Sequence, residues 1–172
     1  ADKCEKFIHG NPSGIDVNQV LSDTPLLFSK KDGAIPLNFN LDSYLLIIDT
    51  GVIGITKETL KHIKQNFENY KSYIDELGEI TEKVIEPLKK KAIEIVGAYM
   101  YKAHDLLQKL GVSHESNDDV VNICKNNGAL GAKLTGGGAG GCCIALSKTK
   151  ENAEKIQNEL EKKGYKSWIV TV

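Results

Sequence analysis

Between residues 131 and 143 the chain reads GAKLTGGGAGGCC, and five of the six residues from Gly136 to Gly141 are glycine. Glycine weakens the interior of a helix or a strand by about 0.5–1 kcal/mol relative to alanine, so no regular element runs through this stretch. What flanks it has strand character: Ala132-Lys133-Leu134-Thr135 before it and Cys142 to Leu146 after it. A dinucleotide fingerprint must leave a strand and enter a helix. Gly136, Gly138 and Gly141 satisfy G-x-G-x-x-G, but here a strand follows, which excludes that reading. A P-loop is excluded as well, because no G-K-[ST] ending follows. Two readings stay open. One is a glycine-rich hairpin that serves packing only; the other is bare backbone N–H groups forming an anion-binding concavity or lying against a phosphate-binding loop.

The rest of the chain alternates between the two periods. Pro25–Phe28 and Ala34–Leu37 read as short strands around a Lys31-Asp32-Gly33 turn. Tyr44-Leu45-Leu46-Ile47-Ile48 is a continuous apolar run stopped at Asp49-Thr50-Gly51, as expected of a strand covered on both faces. Leu60, Ile63, Phe67 and Tyr70 then repeat at helical spacing, with Thr56 as cap. A second stripe runs through Ile74, Leu77, Ile80, Val84 and Leu88, ended or kinked by Pro87. A third runs from Ile93 to Leu110 and stops at Gly111. Ser116 with Asp119 suggests a capping box opening a fourth helix that closes at Gly128. Thr149 caps a fifth, with Ala153, Ile156 and Leu160 inward and Gly164 at its end, before a last strand, Ser167–Val172. Trp168 reads as a core residue of that strand. The fold class is α+β, with helices on one face of a mostly antiparallel sheet of about four strands.

Composition excludes several functions. With 22 basic and 23 acidic residues, no strong field favours nucleic acid or an anionic membrane. No apolar run reaches the ~20 residues needed to cross a bilayer. The opening ADKCEK lacks both Met and an apolar stretch, and reads as a cut through a longer protein or a processed end. Four cysteines without zinc-site spacing suggest reduced thiols in the cytoplasm. His62 and His104 sit on helical stretches without a partner motif and read as solvated or core-edge. His114 reads as a cap or a substrate-edge group, and Asp49 as a turn former or an active-site contact.

The segment His9-Gly10-Asn11-Pro12-Ser13-Gly14-Ile15-Asp16 is the second distinctive stretch. By itself Asp16 could be a turn residue or a helix cap. PSGID near the front, DTG after a buried strand and KLTGGGAGG near the end occur in one order, however. Together they resemble the galactokinase, homoserine kinase, mevalonate kinase and phosphomevalonate kinase superfamily, and within it the mevalonate kinases. LGVSHES, Leu110 to Ser116, resembles their helix-to-helix turn, and SWIVTV the closing strand of their shorter members. The resemblance implies an ATP-dependent kinase of the mevalonate hydroxyl in isoprenoid biosynthesis. It implies Asp16 as the catalytic carboxylate facing that hydroxyl, and Ser13, Gly14 and Thr56 on the substrate side. Thr135, Gly136, Gly137, Gly138, Ala139 and Gly140 would lie near the nucleotide phosphates.

The family's P-x-x-x-G-L-G-S-S-A loop, its substrate-side lysine and its magnesium ligands are absent from this sequence. The expected organisation is therefore a remnant of the N-terminal kinase domain over residues 1–42 and the C-terminal kinase domain over 43–172. This chain would contain no metal ligands, Mg2+ being held mainly by residues outside it, and it would be inactive alone. Expected partners are mevalonate, ATP, the remaining N-terminal part of the kinase and a second copy in a homodimer. The alternatives are a phosphomevalonate kinase or sugar kinase half, or a non-catalytic interaction domain. The first needs extra basic residues for a phosphorylated acceptor, and none cluster near PSGID; the last has no need of Asp16.

Overall fold

A computed structural model describes residues 14–54 and 63–172. Ser13, Thr56, His9 and His62, along with most of the PSGID segment's approach, lie outside the described residues. The chain divides into two compact units, residues 1–39 and 40–172.

In the first unit, α1 (Ile15–Val20) begins at Gly14, whose φ of 85° is left-handed. Strands β1 (Leu26–Ser29) and β2 (Gly33–Pro36) pair antiparallel, Leu27 opposite Ile35. Their connection is held by Ser29, whose hydroxyl donates to Asp32 Oδ2 at 2.9 Å while accepting the Asp32 N–H at 2.8 Å.

The second unit is built on β3 (Tyr44–Asp49), β4 (Gly131–Thr135), β5 (Cys142–Ser147) and β6 (Lys166–Thr171). All neighbours are antiparallel, in the order β4-β5-β3-β6. The helices are α2 (Phe67–Lys83), α3 (Ile85–Lys89), α4 (Ile93–Lys109), α5 (Glu115–Asn126) and α6 (Lys150–Lys162). Period-2 alternation divides the sheet into two faces. Leu46, Ile48, Leu134, Cys143 and Ala145 are buried beneath the helices, together with Val120 and Cys124 of α5 and Ala153, Ile156 and Leu160 of α6. The expected inward stripe of the last helix is thus observed, and so is its cap: Thr149 Oγ1 accepts the Asn152 N–H at 3.2 Å.

The opposite face is less covered, which corrects two expectations. The β3 run is not buried on both faces, since Leu45 and Ile47 are only half-buried. Trp168, in register with Ile47, is 54% exposed and is not a core residue. As the outer strand of the sheet, β6 has a neighbour on one side only, so the indole has little to pack against.

One helix boundary also moves. The stripes through Tyr70 and Ile74 belong to one helix, α2, and the break falls earlier, at a turn on Asn66. The interruption expected at Pro87 is observed: α2 ends at Lys83, and Pro87 lies within the first turn of the short α3, where a missing N–H costs no helical hydrogen bond.

Helix α4 lies against β4 through a close backbone approach. A Cβ on Gly131 would stand 2.3 Å from the Gly97 carbonyl oxygen, and one on Gly97 would stand 2.3 Å from that of Leu130. Above this contact Tyr101 donates its hydroxyl to the Ala129 carbonyl at 2.9 Å.

Candidate functional site

The turn from Thr135 to Cys142 joins β4 to β5 and lines an open depression of about 410 Å³ together with Gly54. Of the residues expected near nucleotide phosphates, Thr135, Gly136, Gly137, Gly138 and Gly140 form its wall, and Ala139 completes the loop. The loop divides into halves with different environments.

The second half is held against protein. Gly138 has φ +74°, and a Cβ there would meet the Val112 carbonyl oxygen at 2.1 Å. That carbonyl also accepts the Ala139 N–H at 2.8 Å. Gly140 has φ +112°, with Val52 Cγ1 2.8 Å from where its Cβ would be. Gly141 donates to the Val52 carbonyl at 2.7 Å, and its own carbonyl accepts both the Thr50 N–H at 3.0 Å and the Thr50 hydroxyl at 2.6 Å. Ala139 itself sits at φ 57°, an uncommon angle for a residue with a side chain. Side chains are therefore absent here partly because two neighbouring segments, Thr50–Gly54 and the Val112 turn, press on the loop.

In the first half, the space beside Gly136 is open. Gly136 has φ +78°, yet nothing lies within 4 Å of an added Cβ. Among the described residues, the N–H groups of Gly136 and Gly137 have no hydrogen-bond partner. Two bare donors over an open depression are what an anion needs.

Behind the loop stands the start of α5. The capping box expected from Ser116 and Asp119 is shifted: the cap is His114, whose Nδ1 accepts the Ser116 N–H at 3.1 Å, and the reciprocal partner is Asn117, whose Oδ1 accepts the His114 N–H at 3.1 Å. His114 thus takes the capping role. Asn117 went unnoticed in the sequence, although it shares the inward stripe of Val120, Val121 and Cys124 at helical spacing. A polar residue in such a stripe was the available signal.

His104 of α4 is buried, not solvated or core-edge. Its Nδ1 accepts the Leu134 N–H at 3.4 Å, which leaves the proton of the neutral ring on Nε2. Nε2 stands 3.2 Å from Asp118 Oδ1, off the hydrogen-bonding direction. Burial lowers the His104 pKa, opposed by the nearby Asp118 and Asp105 carboxylates. Lys133 Nζ donates to the Leu134 carbonyl at 2.6 Å, and burial lowers its pKa also. Both polar groups of the Leu134 backbone are thereby satisfied one residue before the glycine loop begins.

Asp16 lies in the first turn of α1 and is exposed; Gly14 caps that helix through its backbone. Asp49 accepts the Gly51 N–H at 2.9 Å and so shapes the Asp49-Thr50-Gly51 turn. Among the described residues no group of three or more His, Cys, Asp or Glu could hold a metal ion, and no helix is long and apolar enough to cross a membrane.

The geometry has counterparts in known proteins. Residues 84–166 match the family described as GHMP kinases C terminal. The chain belongs to the GHMP kinase superfamily, as an α+β domain with a glycine loop between antiparallel strands. Its relatives there include mevalonate kinases. It is 32% identical to that of Aeropyrum pernix over 91% of this chain and 50% of the relative, and 33% identical to that of Thermococcus sibiricus over 87% of this chain and 47% of the relative. The crystal structure of L. major mevalonate kinase in complex with R-mevalonate superposes with a TM-score of 0.86 at 27% identity, covering 97% of this chain and 55% of that one. The chain spans about half the length of the curated relatives it matches.

Proposed function

We propose that this chain is part of an ATP-dependent kinase that phosphorylates the primary hydroxyl of mevalonate. The reading is carried by the loop Thr135–Gly141, which lines an open depression and whose Gly136 and Gly137 N–H groups have no hydrogen-bond partner among the described residues, in a chain related to mevalonate kinases. Those donors would hydrogen-bond nucleotide phosphate oxygens, with Thr135 at the loop's entrance and Gly138, Ala139 and Gly140 keeping its shape. Asp16 would face the acceptor, and Ser13, Gly14 and Thr56 would contribute to binding it.

Phosphoryl transfer passes through a loose transition state, so positioning and charge neutralisation carry most of the rate. The mevalonate hydroxyl oxygen attacks the γ-phosphorus, the bond to the β–γ bridging oxygen breaks, and ADP leaves. The hydroxyl proton passes to the Asp16 carboxylate or is oriented by it. Mg2+ would be held mainly by residues outside this chain, and would supply charge neutralisation on the phosphates when bound. We place the enzyme in the cytoplasm, working with a separate N-terminal region and as a homodimer.

The test replaces Asp16 with Asn in this chain joined to the N-terminal half of a mevalonate kinase. A coupled assay of ADP release should show kcat lowered by about 10²–10⁴-fold, the range of a positioned acid–base group, with KM for ATP changed little. Near-unchanged turnover in a folded variant would overturn the role of Asp16. The 172-residue chain by itself should show no turnover in the same assay; rates near those of an intact kinase would contradict the assigned division of labour.

A further inference from the structure

The Asn117 side chain is fully buried, and every polar atom of its amide is engaged. Its Nδ2 donates to the Gly140 carbonyl at 2.9 Å, and its Oδ1 accepts the Gly140 N–H at 3.0 Å. One amide therefore grips the two backbone groups of a single glycine. The same Oδ1 accepts the His114 N–H, and Nδ2 lies 3.4 Å from Cys143 Sγ on the strand that leaves the loop. The first turn of α5, the glycine loop and β5 converge on this one side chain.

The grip is specific in its chemistry. Gly140 adopts φ +112°, and its N–H and carbonyl are both turned toward α5. Only a group that donates and accepts side by side can satisfy both. Leucine or valine in this place would leave two buried backbone groups unpaired, and an ionised carboxylate would oppose the Gly140 carbonyl. We infer that Asn117 is a positioning residue that fixes the Gly140 peptide and thereby holds the Gly136–Gly137 N–H groups in the orientation that receives polyphosphate. The inference rests on the phosphate-binding reading of the loop given above.

Aspartate is the informative replacement. Protonated, it both donates and accepts and can restore the grip; ionised, it only accepts. The site is buried and the Gly140 carbonyl faces the group, so the introduced carboxyl will titrate above the ordinary carboxylate range. The experiment uses the 15N-labelled 172-residue chain, as parent, N117D and N117A, with inorganic tripolyphosphate as the probe. In the parent, tripolyphosphate should shift the Gly136 and Gly137 amide resonances, and the Gly140 N–H should exchange slowly.

In N117D those resonances should follow the titration of the introduced carboxyl. Tripolyphosphate affinity relative to the parent at the same pH should fall about tenfold when the carboxyl is ionised and recover when it is protonated. A merely structural role would lower the melting temperature without this pH-reversible link. If N117A fails to fold, N117D below its midpoint still decides the matter. Tripolyphosphate binding that is equal in parent and N117D across the pH range overturns the inference alone. A parent whose loop amides ignore tripolyphosphate, while Gly140 exchange still responds to substitution, overturns the phosphate reading and the inference with it.

Discussion

Replacing Gly138 with Ala separates close packing from backbone freedom. The φ of +74° alone would cost an L-residue about 1–2 kcal/mol. The added methyl would also stand 2.1 Å from the Val112 carbonyl oxygen, a distance that real contacts of this kind essentially never reach. The Val112 carbonyl would have to retreat by almost an ångström, weakening the hydrogen bond it accepts from the Ala139 N–H at 2.8 Å. Overpacking of this kind costs about 1–3 kcal/mol, and the lost bond about 0.5–1.5 kcal/mol. Together these give an expected destabilisation of about 2.5–6.5 kcal/mol. Gly136→Ala provides the internal control, because φ there is +78° but nothing lies within 4 Å of the new methyl. It should cost only the backbone contribution of about 1–2 kcal/mol. Urea unfolding followed by far-ultraviolet circular dichroism measures both. With a slope near 2 kcal/mol per molar, the two midpoints should differ by about 1 M. Coincident midpoints would refute the claim that the Val112 turn is packed against this glycine.

The helix glycines make a paired prediction. Gly78 of α2 has open space around it, so Gly78→Ala should stabilise the chain by about 0.5–1 kcal/mol, whereas Gly97→Ala in α4 should destabilise it strongly because its methyl would strike the Leu130 carbonyl. Thermal melts of the two variants should move in opposite directions. His104 predicts a pH dependence. The unfolded histidine protonates near pH 6.5, the buried one only at lower pH, so between those values the unfolded chain binds more protons and stability falls as pH drops below about 6.5. The loss should approach at most about 1.4 kcal/mol per pH unit, and it should shrink in His104→Gln, read as urea midpoints at pH 7.5 and 5.5. An equal loss in both proteins would remove His104 from the account.

Much of the fold was legible because the core is periodic. Ala153, Ile156 and Leu160 announce the buried side of α6 by spacing alone, and the turn signals at Gly111, Gly128 and Gly164 coincide with left-handed residues at the helix ends. Trp168 was misread because hydrophobicity does not reveal whether a strand has a neighbour on each side. His104 was misread because the group that satisfies it, the Leu134 N–H, is 30 residues away. The site was legible in part. The glycine run marks the loop, and its resemblance to known kinases supplies an anion-binding reading, but sequence could not distinguish glycines crowded by Val112 and Val52 from glycines facing open space. Asn117 was hidden for a related reason: its partner is the backbone of Gly140, and a backbone carries no sequence signature.

The segment Thr50–Gly54 and the glycine loop share hydrogen bonds through Gly141 and touch again where Gly54 meets the Gly138 carbonyl, 2.6 Å from where a Cβ would stand. Main chain resting on main chain leaves no side-chain rotamer to absorb a shift. Displacing either strip by an ångström drags the other along, and whatever rearranges the stretch after β3 is felt at once in the curvature of the turn between β4 and β5.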